Sequence, residues 1–399
     1  MKRFLRKTIY GIHWGFYYAL IAIPLAALMS VLSKTHPSLA LLFVGVFSLL
    51  NFFLSRRKVT AFFAANTLFL PFIYPLMFAD YVGEIGSNMW QILVGELIVV
   101  SWISGIIYII LAIIGRFVSL ATYRRFFPPY LIGALLILLG VSLSIRLGYD
   151  YGYAPISKAQ NYTPLISLMI GLFVSFFVRI LAKPQSFFHR TFLLYGFLFS
   201  VGATFAYEAI AVELGAIYFL DTSVYYPLTM NLSFSFAAVP LLQNATYYFN
   251  YLDNLFFSTD LILFVLPLTV ITFSKLFEDI SKQRQSDAKT TLENDIDEIL
   301  LSNGLSLMVS NLAGASFVTS INHHEVKVKR GYRFISLLVL LLLSALFGLS
   351  DFFNQLIYLI PLPIYGGLAM SLSLLLIVYG VNMWKQACRD NPGTKNTIV

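Results

Sequence analysis

Charged residues are scarce in this sequence. They make up 12% of its 399 residues, while 58% are hydrophobic and the mean hydropathy is +0.78; about a quarter of an average soluble domain is charged. This deficit excludes an ordinary water-soluble domain. The apolar residues come in blocks of about 20, the length of helix that crosses a hydrocarbon core of about 30 Å. The polar–apolar alternation of a membrane β-barrel is missing, so the sequence predicts an all-α polytopic membrane protein.

The sequence also lacks the residue patterns of disulfide-bonded, nucleotide-binding, catalytic and metal-binding sites. The single cysteine, Cys388, excludes an internal disulfide. No P-loop, Rossmann glycine pattern or catalytic-triad spacing occurs. Adjacent residues on a helix point about 100° apart, so His323, His324 and Glu325 do not make a metal-ligand set on one face. We therefore expect no enzyme, no metal and no cofactor. The net charge of +8 is expected from cytoplasmic loops, and no nucleic-acid partner is expected.

The apolar blocks predict about twelve membrane spans. Lys and Arg fall in alternate loops, and the longest intervening loop, 214–257, contains neither. By the positive-inside rule both termini are cytoplasmic, and an inner (plasma) membrane location is expected. The predicted spans are 11–32, 38–54, 61–80, 91–115, 128–147, 163–182, 190–213, 258–280, 296–312, 316–328, 333–349 and 361–384.

Two of these segments do not look like plain helices. Residues 59–80 contain Asn66 and two prolines, and residues 313–325 are polar and rich in small side chains after Gly314. In lipid, non-helical backbone is tolerated only where protein or a water-filled cavity surrounds it. One interrupted segment in each half is typical of an inverted-repeat secondary transporter, which binds its solute between them at mid-membrane. Kinked helices in another polytopic protein are the alternative.

Three stretches, in this order and spacing, resemble one family. They are "YRRFFPPYLIGALLILLGVSL" at 123–143, "NGLSLMVSNLAGASFVTSINHH" at 303–324 and "IPLPIYGGLAMSLSLLLIVYGVNMW" at 360–384. The Pro-Pro-x-x-x-Gly and Ile-Pro-x-Pro-x-x-Gly-Gly patterns are the strongest pieces. The series resembles the nucleobase–ascorbate transporter family, the uracil and xanthine permeases.

The resemblance implies a fold of fourteen segments in two inverted repeats of seven. Segments 3 and 10 would each pair a short strand with a half-helix. Residues 1–115 and 258–350 would form a core domain (segments 1–4 and 8–11). Residues 116–257, including the long outer loop, and 351–385 (segment 12) would belong to a gate domain, and 386–399 would be a cytoplasmic tail. About twelve segments are expected, with the last two gate segments missing through truncation or as a shorter variant.

The resemblance also implies where a solute binds. Family members usually hold it with a carboxylate on segment 8 and another on segment 10. Here those positions read Lys275 and His323. Asn322 precedes His323, Asp279 lies one turn beyond Lys275, and Asn66 lies near the strand of segment 3. We expect all five to bind the solute. The alternatives are that Lys275 pairs internally with Asp279 or snorkels to the cytoplasmic surface, and that His323 lies in a hydrated loop.

The leading prediction is a secondary active transporter that moves a nucleobase-like small solute by alternating access. Protons are the expected coupling ion, carried by His323 and Asp279, because an imidazole titrates near physiological pH and ionisable groups inside a membrane are usually functional. The lipid bilayer is the other partner, and the resemblance implies a homodimer. One alternative is an anion transporter of the sulfate-permease type, prompted by Lys275 and His323. Another is a transport-inactive or truncated membrane protein with a structural or interaction role.

Overall fold

The computed structural model describes residues 2–54, 61–71, 88–115, 117, 128–153, 162–183, 186–213, 255, 259–286, 295–321, 332–349, 357 and 360–390. Within these ranges six helices are long and apolar enough to cross a membrane: Thr8–Leu32, Pro37–Leu54, Gln91–Ile114, Pro129–Tyr153, Thr163–Leu181 and Leu362–Cys388. Shorter apolar helices cover Phe192–Tyr207, Leu261–Lys275 and Arg333–Gly348.

The elements follow one another as a helical chain with two short strands. In order they are α1 (Lys2–Leu32), α2 (Pro37–Leu54), β1 (Phe62–Ala65), a 3-10 helix (Thr67–Phe69), α3 (Asn88–Gly115), α4 (Pro129–Gly148) with a π-helical turn (Tyr149–Tyr153), α5 (Thr163–Leu181), α6 (Phe187–Arg190), α7 (Phe192–Glu213), α8 (Thr259–Ser286), α9 (Asp295–Leu312), β2 (Val318–Ile321), α10 (Arg333–Gly348) and α11 (Leu362–Asp390).

Helices occupy the described parts of the other predicted spans, and the two interrupted segments contain the strands. The all-α polytopic fold with two broken segments is therefore confirmed. The long apolar blocks form helices because lipid offers no hydrogen bonds, so each backbone N–H and C=O must be paired within the segment. The count of twelve segments stays a prediction, since parts of the chain lie outside the described residues.

The chain divides into two compact units, each built from two separate stretches. The first unit comprises Met1–Phe117 and Met230–Tyr358, and the second comprises Val118–Thr229 and Leu359–Val399. The predicted roles of core and gate, with their boundaries, stay predictions for these units.

Contacts inside the first unit follow an inverted repeat. α2 packs on α10 and α9 packs on α3; α1 packs on α10 and α8 packs on α3. These pairs interchange when the elements α1, α2, β1 and α3 are exchanged with α8, α9, β2 and α10. The two strands pair with each other antiparallel, as a two-fold relation between the halves requires. The strand pair thus lies where the two halves of this unit meet.

Glycines allow the helices of the first unit to approach closely. A Cβ added to Gly105 on α3 would lie 2.7 Å from the carbonyl oxygen of Gly304 on α9, and a Cβ on Gly304 would lie 2.7 Å from that of Gly105. Small residues at such crossings are usual in membranes, where van der Waals packing drives helix association.

The second unit is built from α4 to α7 and α11. α11 packs on α4 and α5, and α7 packs on α5. Pro128 and Pro129 begin α4, where proline's missing N–H costs no hydrogen bond. Further along, Gly133 on α4 and Gly380 on α11 face each other so closely that a Cβ on either would lie within 2.7 Å of the other's carbonyl oxygen. The prolines of the Pro-Pro-x-x-x-Gly pattern thus begin α4, and its glycine allows α11 to pack closely against α4.

Candidate functional site

The candidate site is the strand pair at the centre of the first unit. Phe62 lies opposite Ile321 and Ala65 lies opposite Val318. A two-stranded ribbon leaves unpaired backbone groups along both outer edges, and inside a membrane such groups are costly. The chain meets this requirement with asparagine and serine side chains from the neighbouring helices.

α2 covers the edge of β1. The Ser48 hydroxyl oxygen accepts the N–H of Phe63 (3.0 Å), and Asn51 Oδ1 accepts the N–H of Ala61 (3.3 Å). Asn51 Nδ2 donates to Ser302 Oγ on α9 (2.9 Å). Asn51 therefore ties β1 to both helices that surround it.

α9 covers the edge of β2 in the same way. Asn303 Oδ1 accepts the N–H of Ser320 (2.6 Å) and its Nδ2 donates to Ser320 Oγ (2.8 Å). Ser306 Oγ donates to the carbonyl oxygen of Val318 (2.7 Å). These side chains are fully or almost fully buried, and such pairing is what buried backbone requires. Sequence reasoning missed them, because serine and asparagine inside an apolar helix carry no distinguishing pattern.

Asn66 joins the two broken segments. Its N–H donates to the carbonyl oxygen of Phe317 (2.8 Å), and its Nδ2 donates to Thr319 Oγ1 on β2 (2.7 Å). Its Oδ1 accepts the N–H of Leu68, so Asn66 caps the 3-10 helix that follows β1. A carboxamide has two N–H donors and two acceptor lone pairs. The described bonds use one of each, and the side chain is half-buried, so capacity remains for a ligand.

Aromatic rings stack near both ends of the strand pair. Tyr18 of α1 stacks on Phe62 with ring centroids 4.6 Å apart. Phe69 stacks on Phe317 at 4.9 Å with the rings 7° from parallel, and both are fully buried. These stacks place apolar surface next to both ends of the strand pair.

Gly314 turns the chain from α9 into β2. It has φ 82°, and the N–H of Ala315 donates to Ser310 O while that of Gly314 donates to Asn311 O. This is a Schellman ending, whose left-handed residue favours glycine. α1 ends in the same way with Lys34 at φ 50°. The two turns touch: His36 N–H donates to Gly314 O (3.2 Å).

Burial lowers the pKa of the His36 side chain to about 4, so this histidine is neutral at physiological pH. Its neighbour Lys34 also has a pKa lowered by burial. Sequence reasoning did not consider His36, because nothing in the sequence shows that the turn between α1 and α2 packs on Gly314.

The predicted positions 275 and 279 lie on α8, and their places around this helix can be given relative to the side that contacts α3. α8 meets α3 through Thr269 and Thr272. At about 100° per residue, position 279 lies about 20° around the helix from Thr272 and position 275 about 60°, so both positions lie nearer to the α3 side than to the opposite side. Ser274 lies opposite Thr272 and is 3% exposed. Its hydroxyl has no hydrogen-bond partner among the described residues.

The remaining predicted positions are described less fully. Asn322 and His323 lie outside the described residues, and only the backbone of Asp279 is described. The five predicted site residues therefore stay predictions. Of them, Asn66 is the one that the structure brings into the strand pair with its side chain described.

The profile of the Permease family matches residues 9–399, nearly the whole length of the chain. The chain belongs to the Permease family. The resemblance to the xanthine and uracil permeases is thereby confirmed, and the protein is an integral membrane transporter.

Two known proteins are similar to this Permease family member along most of its length. A protein of Escherichia coli (strain K12) named "Putative pyrimidine permease RutG" is 22% identical over 391 residues, which cover 96% of this chain and 80% of that protein. The solved transmembrane domain of a cyanobacterium bicarbonate transporter, BicA, matches with a TM-score of 0.53 and 13% identity, covering 95% of this chain and 94% of that one. The second likeness shows a shared transporter fold alone.

Proposed function

We propose that this Permease family member is a secondary active transporter that moves a neutral, nucleobase-like solute by alternating access, coupled to protons. The observation that carries the proposal is the chemistry around the strand pair. Every described side chain that hydrogen-bonds the strands is a hydroxyl or an amide: Ser48, Asn51, Asn66, Asn303, Ser306, Thr319 and Ser320. Such groups offer both donors and acceptors without net charge.

A nucleobase matches this chemistry because its ring edge alternates N–H donors and C=O acceptors. The free donor of Asn66 suits a carbonyl oxygen, and its free lone pair suits a ring N–H. The name of the Escherichia coli relative, a pyrimidine permease, supports the same class of solute. An anion would need compensating positive charge, and the described contacts of the strand pair supply none.

For coupling, we keep His323 and Asp279 as the proposed proton-carrying groups. His323 follows β2 closely in sequence and Asp279 lies on α8 of the same unit, and a titratable group inside a membrane protein is costly unless it has a role. The His323→Ala variant should lose the dependence of uptake on the proton gradient. Uptake that keeps its wild-type pH dependence in this variant would remove His323 from the coupling path.

The function is tested by uptake into cells that express the chain, using labelled uracil, xanthine and sulfate. We expect uptake of a nucleobase, and we expect a proton uncoupler to abolish its accumulation. Uptake of sulfate instead would favour the anion transporter. Correct membrane insertion without uptake of any of the three would contradict the proposal and favour an inactive membrane protein.

A further inference from the structure

Four hydroxyl groups join α3 to α8 inside the first unit. Ser104 and Tyr108 lie one turn apart on α3, and Thr269 and Thr272 lie nearly one turn apart on α8. Ser104 Oγ and Thr269 Oγ1 are 2.9 Å apart, and Tyr108 Oη donates to Thr272 Oγ1 at 3.2 Å. All four side chains are at most 3% exposed. They therefore lie between the helices, out of reach of a transported solute.

The protons of these bonds have a defined direction. Thr269 donates its own proton to the carbonyl oxygen of Val265 (2.9 Å), and Thr272 donates to that of Thr269 (2.9 Å). A hydroxyl has one proton to donate, so each threonine can only accept from α3. Ser104 must then donate to Thr269, as Tyr108 does to Thr272. Two hydroxyl groups on α3 thus donate to two hydroxyl oxygens on α8. Both bonds can form together in one relative orientation of the helices.

Apolar packing alone does not define that orientation. The part of α8 that contains the pairs reads LILFVLPLTVITF, residues 261–273, and is apolar on every side. A helix that is hydrophobic all round has no polar side that must face away from lipid, and in a membrane lipid replaces protein at little cost. The two hydroxyl pairs are directional polar contacts and therefore favour one rotation of α8 over another. Phe273, which meets the Tyr108 ring edge-on at 5.6 Å, packs against one side of the pairs.

We propose that Ser104, Tyr108, Thr269 and Thr272 are positioning residues that set the rotation of α8 about its own axis. That rotation turns Ser274 away from α3 and decides which side of α8 is available to a solute. The effect on transport rests on the proposed function, whereas the effect on rotation does not. The four residues act through α8 and do not touch the solute.

Rotation can be measured with two introduced cysteines. Cys388 is the single native cysteine, so Cys388→Ser provides a background without thiols. Leu263 lies on the side of α8 opposite Thr272 and is 64% exposed, whereas Leu268 lies toward the Thr272 side and is 9% exposed. In protein solubilised in a mild detergent, a small uncharged maleimide should label the Leu263→Cys variant much faster than the Leu268→Cys variant, because position 263 is not covered by protein.

Removing the donors should change this ratio. In the Tyr108→Phe and Ser104→Ala double variant, we expect labelling at 263 to fall and labelling at 268 to rise. Their ratio should change by at least about threefold, the factor that corresponds to a typical membrane interhelical hydrogen bond of about 0.6 kcal/mol. The Thr272→Ser variant keeps the acceptor and should keep the wild-type ratio. An unchanged ratio in the inserted double variant, or a parallel rise at both positions, would overturn the proposal.

The second unit offers a matched control of the same chemistry. Thr204 Oγ1 donates to Ser167 Oγ at 2.9 Å between α7 and α5, and both are fully buried. The Thr204→Val variant loses an equivalent pair and should leave the labelling ratio of α8 at its wild-type value. If Thr204→Val changes the ratio as much as the double variant does, the effect is general loosening and the proposal fails.

Uptake kinetics complete the test. We expect Tyr108→Phe to raise the apparent KM for the solute by about threefold with a smaller change in Vmax, because the chemistry that binds the solute is intact and only its placement changes. A changed labelling ratio with an unchanged KM would overturn the role in transport. If the wild-type chain moves none of the tested solutes, the proposed function fails, and the labelling ratio still decides whether the hydroxyls position α8.

Discussion

A single side chain, Asn66, bonds both broken segments and still has a donor and an acceptor to offer. Its position at the start of a short helix explains why. Asparagine is a favoured helix N-cap, and the bond to Thr319 holds the carboxamide in one orientation. The residue is therefore held in place by its hydrogen bonds and keeps one donor and one acceptor that a ligand could use.

The Asn66→Asp variant separates these two roles. Aspartate caps a helix as well as asparagine does and can accept from the Thr319 hydroxyl, so the fold should be retained. It has no N–H to donate, however, and a carbonyl-bearing solute should lose one hydrogen bond of about 1–1.5 kcal/mol. We expect the apparent KM for nucleobase uptake to rise about tenfold. An unchanged KM in the variant would mean that Asn66 only caps the helix.

The two left-handed turns make a paired prediction about stability. Gly314→Ala forces a Cβ into the left-handed region and should destabilise the protein by about 1–2 kcal/mol. Lys34→Gly relieves the same strain. Because glycine also gives the unfolded chain more conformational freedom, which disfavours folding, the net stabilisation of the protein should be about 0.5–1 kcal/mol. Thermal unfolding of the purified protein in detergent measures both. Lys34→Ala keeps the strain and controls for the lost charge; a stabilisation equal to that of glycine would refute the explanation.

Residues that interrupt an apolar block stand out in the sequence. Polar residues within a block that remains helical do not. Asn66 and Gly314 stand out because each interrupts an apolar block. Asn51 and Asn303 sit within blocks that remain helical, and their role depends on strands that another part of the chain supplies. Ser274 and Thr319 likewise become visible only once the helix register and strand pairing are known.

At the scale of elements, hydropathy predicted the helices because lipid allows few other structures. Prediction of the strands needed the interruptions together with the family resemblance, since four-residue strands such as FFAA and VTSI are too short to show a period. Which helices touch depends on glycines on two helices at once. Gly105 and Gly304 are far apart in sequence, so neither marks the crossing by itself.

The α3–α9 crossing therefore supports a prediction about close packing. In Gly304→Ala the added Cβ meets a backbone carbonyl oxygen at 2.7 Å, so the helices must separate, and we expect a loss of about 1–3 kcal/mol. Gly202 on α7 has nothing within 4 Å of an added Cβ, and Gly202→Ala should be neutral or slightly stabilising. Equal unfolding temperatures for the two variants would show that the crossing tolerates separation.

For the whole molecule, the division into two units joins stretches that are distant in sequence. Residues 1–117 and 230–358 form one unit, and the remaining stretches form the other. Local patterns carry no information about such long-range association. The family resemblance suggested it, because an inverted repeat places the first and second halves of a unit together. Composition and charge instead carry information about the orientation of the chain in the membrane.

The orientation yields the last prediction. The alternating basic loops predict that both termini and the loop after α8 are in the cytoplasm and that the loop 214–257, which has no Lys or Arg, is outside. In intact cells a membrane-impermeant thiol reagent should leave native Cys388 unlabelled until the cells are permeabilised. In the Cys388→Ser background, Ser223→Cys in the outer loop should be labelled in intact cells, whereas Ser286→Cys at the end of α8 should not. Because each additional span reverses the side of everything after it, labelling of Cys388 in intact cells would mean that the number of spans between the outer loop and residue 388 is even, and the predicted topology would be wrong.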